Sequence, residues 1–119
     1  MIINLSKLKI CDNSGVKSVK CFKIYRNSIG TIGSVIYVSV KDTRNKGKLQ
    51  KGHIVRAIIV RIKKVIGRFT GSFVFFDCNE AILLNEKHEL LGTRIFGPLP
   101  LELRKKRHLK LLSLASIII

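Results

Sequence analysis

Ile54-Val55-Arg56-Ala57-Ile58-Ile59-Val60-Arg61-Ile62-Lys63 is the stretch on which the fold turns. In an extended chain, Ile54, Arg56, Ile58, Val60 and Ile62 face one way and Val55, Ala57, Ile59, Arg61 and Lys63 the other. Apolar residues on both sides of its middle imply burial on both faces there, while the cationic end projects outward. Working outward, the first 85 positions repeat short β-branched runs punctuated by Gly and Asn. Strands are expected over Leu5 to Cys11, Val16 to Tyr25, Val35 to Lys41, Ser72 to Phe76 and Ala81 to Leu84. In the second, Cys21 and Lys23 oppose Phe22 and Ile24; in the third, Ile36, Val38 and Val40 share a face opposite Tyr37, Ser39 and Lys41.

The connections carry turn chemistry. Asp12-Asn13-Ser14-Gly15 supplies capping side chains and then a Gly free to take positive φ. Gly30 and Gly33 bracket a loop, Thr43 to Gly52 is a Lys-rich loop or hairpin, and Gly67 to Gly71 reads as a hairpin tip. From Pro98 the character changes: Pro100 opens a helix over Leu101 to His108, and Lys110 to Ile119 fits a short helix or a strand. Short strands closing on themselves predict a mainly β fold, a small barrel, because closure removes exposed edges.

At 119 residues the chain makes one domain, not two. It carries 15 Lys and 8 Arg against 3 Asp and 4 Glu, a net charge of +16, on a sequence 46% hydrophobic. That apolar content excludes a disordered basic tail. Strictly apolar runs reach only four residues, so no membrane span is expected where roughly 20 are needed. Solubility asks for far less charge, a magnitude of about 2–8. A polyanion is therefore the expected partner, nucleic acid first. Cys11, Cys21 and Cys78 lack metal or disulfide spacing and read as reduced small hydrophobes. No secretory signal or import presequence is recognisable. The 17 Ile and 15 Lys beside 3 Ala fit AT-rich coding, as many organelles have.

Catalytic chemistry finds no foothold. Asp12, Asp42 and Asp77 fall at strand ends as turn formers, and His53, His88 and His108 are scattered without ligand spacing. No phosphate loop, nucleophile elbow or carboxylate pair is present, so no catalytic residue, metal or cofactor is expected.

The cations are organised instead. Lys17, Lys20 and Lys23 lie on the second strand; Arg44, Lys46, Lys48 and Lys51 in the long loop; Arg56, Arg61, Lys63, Lys64 and Arg68 run to the hairpin tip. These twelve are the expected RNA-binding residues, through phosphate neutralisation and counterion release. Arg104, Lys105, Lys106, Arg107 and Lys110 form a further group. Most aromatics are assigned to the core, with Phe69 at the hairpin tip the exception, so folded RNA read by shape and backbone is favoured.

Cys11 to Gly15, Lys51-Gly52 leading into Arg56 to Lys64, and Gly92-Thr93-Arg94-Ile95-Phe96-Gly97-Pro98 together resemble the universal large-subunit ribosomal protein L-fourteen family. The match runs from about Leu8 to Ala115, and the family signature is matched by Ala57 to Val60, Gly71, Phe76 and Asn79. The resemblance implies a five-stranded β-barrel with a projecting β-ribbon, about residues 1–98, and short C-terminal helices, about 99–119. It implies a non-catalytic protein bound to large-subunit rRNA and neighbouring ribosomal proteins, reaching small-subunit rRNA through an intersubunit bridge. It further implies a docking surface for a ribosome silencing factor. By position, Thr93, Arg94 and Lys110 match the exposed docking face, to which Arg104, Lys105, Lys106 and Arg107 are added; Arg61 to Ser72 matches the ribbon. The loop from Arg26 to Ser34 is shorter than the family's and lacks its paired Arg, Thr70 replaces a customary Asp or Asn, and the tail Ser116 to Ile119 lacks the usual Pro and Glu. Composition and lost pattern fit a protein encoded and used in a mitochondrion, with a plastid or a bacterial cytoplasm as alternatives. A free RNA-binding regulator or chaperone is the rival reading, and an RNA-processing enzyme the weakest.

Overall fold

The computed structural model describes residues 2–25, 28–44, 49–105 (Lys105 by its backbone only) and 108–119. Five strands close a barrel: β1 (Lys7–Ile10), β2 (Val16–Ile24), β3 (Val35–Thr43), β4 (Ile54–Arg61) and β7 (Glu80–Leu84), in the order β1-β2-β3-β4-β7. Neighbours are antiparallel except at the closure, where β1 runs parallel to β7 through Lys9↔Glu80 and Ile10↔Ala81. Two short strands, β5 (Ile66–Gly67) and β6 (Phe73–Val74), form a separate ribbon. Helices α1 (Glu102–Lys105) and α2 (Leu109–Leu114) follow.

β4 is buried on both faces, as its two-sided apolar pattern requires: Ala57, Ile58, Ile59, Val60 and Ile62 are all shielded. Besides β3 and β7, the chain before β3 holds it: the Gly33 N–H donates to the Ile59 carbonyl at 2.7 Å and the Ile59 N–H to Ser34 at 3.1 Å. Ile36, Val38 and Val40 face inward together, as their alternation predicts.

In β2 the alternation fails, and the register shows why. β2 pairs β3 with three one-residue slips, which leave Lys17, Phe22 and Lys41 without opposite numbers. An unpaired bulge residue re-aims its neighbours. Cys21 and Ile24 are therefore both buried while Phe22 and Lys23 are both exposed, correcting the strict period-two assignment. β1 begins at Lys7 rather than Leu5 because Leu5 adopts φ +71°, outside extended geometry. The ribbon strand stops at Val74, short of Phe76, whose N–H turns back to the Ile62 carbonyl at 3.2 Å.

The C-terminal ambiguity resolves as a helix followed by a tail that makes a single bridge, Leu99 with Ile118. α2 buries Leu111 and Leu112. The chain then returns beside Leu99, with Leu99 N–H donating to Ile117 and Ile119 N–H donating to Leu99. A six-residue helix is too short to stand alone, so tertiary contacts must hold it. One is the His108 ring, whose Nε2 lies 2.9 Å from the Gly33 carbonyl and so carries the proton.

Candidate nucleic-acid interface

Two loops far apart in sequence are fastened into one surface. Asp12 is buried, and its Oδ1 accepts from the Ser14 N–H (3.0 Å) and hydroxyl (2.5 Å) while Oδ2 accepts from the Leu83 N–H (3.2 Å). Gly15 closes this turn at φ +94°, as expected. With Asp12 fixed, the exposed Asn13 side chain reaches 80 residues along the chain. Its Oδ1 accepts the backbone N–H groups of Thr93 (2.8 Å) and Arg94 (3.1 Å), and its Nδ2 donates to the Thr93 hydroxyl at 2.9 Å. Gly92 permits this approach, since a Cβ there would lie 2.8 Å from Asn13 Oδ1. Ile95 is buried and the Phe96 N–H donates to the Cys11 carbonyl at 2.7 Å. Thr93 and Arg94 thus stand exposed on a clamped base, but the Thr93 hydroxyl is already engaged. Arg94 forms no ion pair with Glu89 or Glu102.

The same segment is strapped from below by Arg61. The expectation that Arg61 projects toward phosphates is corrected: it is 5% exposed. Its Nε donates to Glu80, Nη1 to the Pro98 carbonyl (2.7 Å) and Nη2 to the Phe96 carbonyl (2.9 Å). Gly97, at φ +84°, lies between those carbonyls, and a Cβ there would come within 2.6 Å of Nη1. The sequence separates Arg61 from Phe96 by 35 positions, so only the fold could reveal this planar, three-way use of a guanidinium.

Arg56 and Arg68 are also occupied within the chain. Arg56 Nη1 donates to the Glu86 carbonyl (3.0 Å) and to His88 Nε2 (2.8 Å), and its Cζ sits 5.7 Å from the Tyr37 ring centre. Arg68 makes a two-pronged pair with Glu102, 2.9 and 3.2 Å, and its Nη2 donates to the Ile119 carbonyl at 2.7 Å. Lys63 and Lys64, at the ribbon's root, are exposed and make no ion pair among the described residues. The ribbon turn is closed by the Gly71 N–H on the Arg68 carbonyl at 3.0 Å.

Lys17, Lys23, Arg44, Lys51, Arg104 and Lys110 are exposed and Lys20 is half-buried. Lys23 Nζ stands 5.9 Å over Tyr37, on the ring Arg56 also approaches. Lys46, Lys48, Lys106 and Arg107, the Lys105 side chain, and Arg26 and Asn27 lie outside the described residues. Lys7 and Lys9 were not among the expected binding residues, yet both are exposed on β1 on either side of buried Leu8. Their Lys-Leu-Lys alternation is the signal that identifies them.

The aromatic assignment also needs correction. Phe22, Tyr25, Phe69, Phe73, Phe75 and Phe96 are exposed; Tyr37 and Phe76 are half-buried. Phe69, Phe73 and Phe75 crowd the ribbon, where paired strands of two residues offer no second layer to cover them. Apolar stacking surface is therefore present beside the cations.

No reactive centre emerges among the described residues. The three cysteines are free; burial pushes the Cys11 thiol up to about 12 and raises Cys21, so neither offers a thiolate at neutral pH. Among the described residues, no group of three or more His, Cys, Asp or Glu could hold a metal, and no helix is long and apolar enough to cross a membrane. A closed five-stranded barrel, a separate two-stranded ribbon and two short C-terminal helices are the parts that the sequence resemblance implies. The model of the ribosomal protein L14p/L23e family matches residues 1–119, the whole chain. The chain therefore belongs to that family, as a non-enzymatic structural protein of the large ribosomal subunit whose partners are rRNA and other ribosomal proteins.

Proposed function

We propose that this large-subunit protein presents its Gly92–Pro98 segment toward the small subunit and contributes there to an intersubunit bridge. The observation that carries this reading is the Asn13 clamp, which holds the exposed Arg94 on a rigid base. A docking surface needs such pre-organisation, because a mobile loop would lose entropy on binding. Arg94 offers a planar fork for a phosphate or for a carboxylate of a silencing factor. Lys110 and Arg104, both exposed, extend the same proposed face. The rRNA side is assigned to Lys17, Lys20, Lys23, Arg44, Lys51, Lys63 and Lys64, those of the twelve expected residues that are exposed or half-buried and make neither an ion pair nor the internal contacts of Arg56 among the described residues. A mitochondrial setting is supported by the Ile- and Lys-rich, Ala-poor composition.

Arg94→Ala is the test. Large subunits should assemble with normal protein content, while subunit joining or silencing-factor docking weakens. Normal joining together with normal docking would overturn the assignment. Co-sedimentation of the protein with mitochondrial ribosomes checks the compartment, and its absence from them would refute it.

A further inference from the structure

β1 and β2 set two lysines directly against each other. Lys7 and Lys20 are register partners in an antiparallel pair, so their side chains leave the same face. That face is the outer one, because the adjacent partners Leu8 and Val19 are buried inside the barrel. Opposed residues in such a pair have Cβ atoms about 5 Å apart, and like charges there repel. A third ammonium joins them. Lys41 is the bulge residue of β3 beside Ser18 and Val19, and Lys7, Ser18, Val19, Lys20 and Lys41 line one groove of about 310 Å³. Next to it, Lys7 and Lys9 share a second groove with Lys63 at the ribbon's root. Asp42 stands opposite Ser18 on β3, yet no ion pair neutralises Lys7, Lys20 or Lys41 among the described residues.

We propose that Lys7, Lys20 and Lys41 form a cradle for consecutive backbone phosphates of RNA, which continues through Lys9 to Lys63. Three unpaired cations converging on one groove cost the free protein stability, and a polyanion reverses that cost by neutralising them together. Phosphates fit better than an acidic protein segment because a nucleic-acid strand carries one charge at every nucleotide, so a row of lysines, each a flexible point charge, meets successive phosphates. The Ser18 hydroxyl in the groove adds a donor suited to a phosphate oxygen. The site rests on the rRNA-binding reading above, but adds residues and a register-defined geometry to it.

The test compares wild type with Lys7→Gln/Lys20→Gln and with Lys7→Arg/Lys20→Arg, using full-length chains. Large-subunit rRNA from the same organism is the probe, and affinity is measured against salt. The Gln pair should flatten the slope of log affinity against log salt by about 2, which over a fourfold rise in salt is about a tenfold smaller loss of affinity. The Arg pair should keep the wild-type slope. In the free protein at low salt, the Gln pair should raise Tm above wild type, and the gain should vanish in 1 M salt. A wild-type slope in the Gln pair, or no gain in Tm, overturns the cradle. If the slope is unchanged but incorporation into large subunits falls, the groove takes an acidic protein, which also overturns it. Failure of wild type to bind the rRNA at all would instead refute the rRNA-binding reading itself.

Discussion

The barrel and the ribbon use the same residue types to opposite ends. In the barrel most β-branched side chains are enclosed, exposed Ile54 at the start of β4 excepted, and the buried Arg61 is met by a carboxylate and two carbonyls. In the ribbon only two residue pairs join the strands, Phe73 and Phe75 are 71% and 62% exposed, and Phe69 is bare. A two-stranded ribbon is marginal in water by itself. The ribbon leans on the body through the Arg68 pair with Glu102 and through the half-buried Ile66, whereas Phe69, Phe73 and Phe75 contribute little to the fold of the isolated chain. The difference teaches that an apolar or cationic residue has no fixed role here. Enclosure makes it structural, and lack of a second layer makes it available to a partner.

Arg61→Met strikes the barrel side of that contrast and should have the largest effect. Removing the guanidinium strands the part-buried Glu80 carboxylate and leaves the Phe96 and Pro98 carbonyls without their donor. Breaking one partner of a buried pair costs about 3–5 kcal/mol, and the lower end applies because Glu80 is 21% exposed. Urea unfolding should show this loss with little dependence on salt, and Arg61→Met/Glu80→Gln should recover part of it. A loss under about 1 kcal/mol would reclassify Arg61 as a surface residue.

Much of this division was open to sequence reasoning where period and turn chemistry act locally. The two-sided apolar run of β4, the inward face of β3 and the Asp12 to Gly15 turn follow from residues within a few positions of one another. What was illegible required contacts across the closed sheet. Arg61 looked like the first residue of a cationic ribbon because its strand ends in Ile62, Lys63 and Lys64, and only closure brings Phe96 to Pro98 over it. The aromatics misled for a related reason. Phe73 to Phe76 reads as a buried strand by hydrophobicity, yet burial also needs a covering layer, and hydrophobicity does not report one. The bulges at Lys17, Phe22 and Lys41 defeat strict alternation in the same way.

Arg68→Gln probes the attachment between the two regions and should have an intermediate effect. Its pair with Glu102 leaves both side chains 21% exposed, so about 1 kcal/mol is expected, less in high salt. The signature is local. Amide exchange should accelerate at Arg68 and Gly71, whose N–H groups bond to Ser72 and Arg68 across the turn, while Ile58 and Ile82 in the barrel keep wild-type protection. Uniform acceleration across barrel and ribbon would show that the two unfold as one unit and would erase the contrast.

Phe69→Ser should have the smallest effect on the isolated chain and therefore sharpens the comparison most. Phe69 is fully exposed at the ribbon turn, beside Thr70 and Gly71, with no apolar neighbour covering its ring. Burial is what makes an aromatic stabilising, so replacing an uncovered ring should change unfolding free energy by no more than about 0.5 kcal/mol. If the ring serves a partner, the cost appears only on assembly. The variant should compete poorly with wild type for incorporation into large subunits, because stacking against a base or an apolar neighbour is lost. Lys63→Ala/Lys64→Ala at the ribbon's root gives the contrasting control: its defect should be largest at low salt and shrink as salt rises, whereas that of Phe69→Ser should be nearly independent of salt. A measurable destabilisation of the free chain would mean that the ring is covered in solution, and the ribbon would then belong with the barrel.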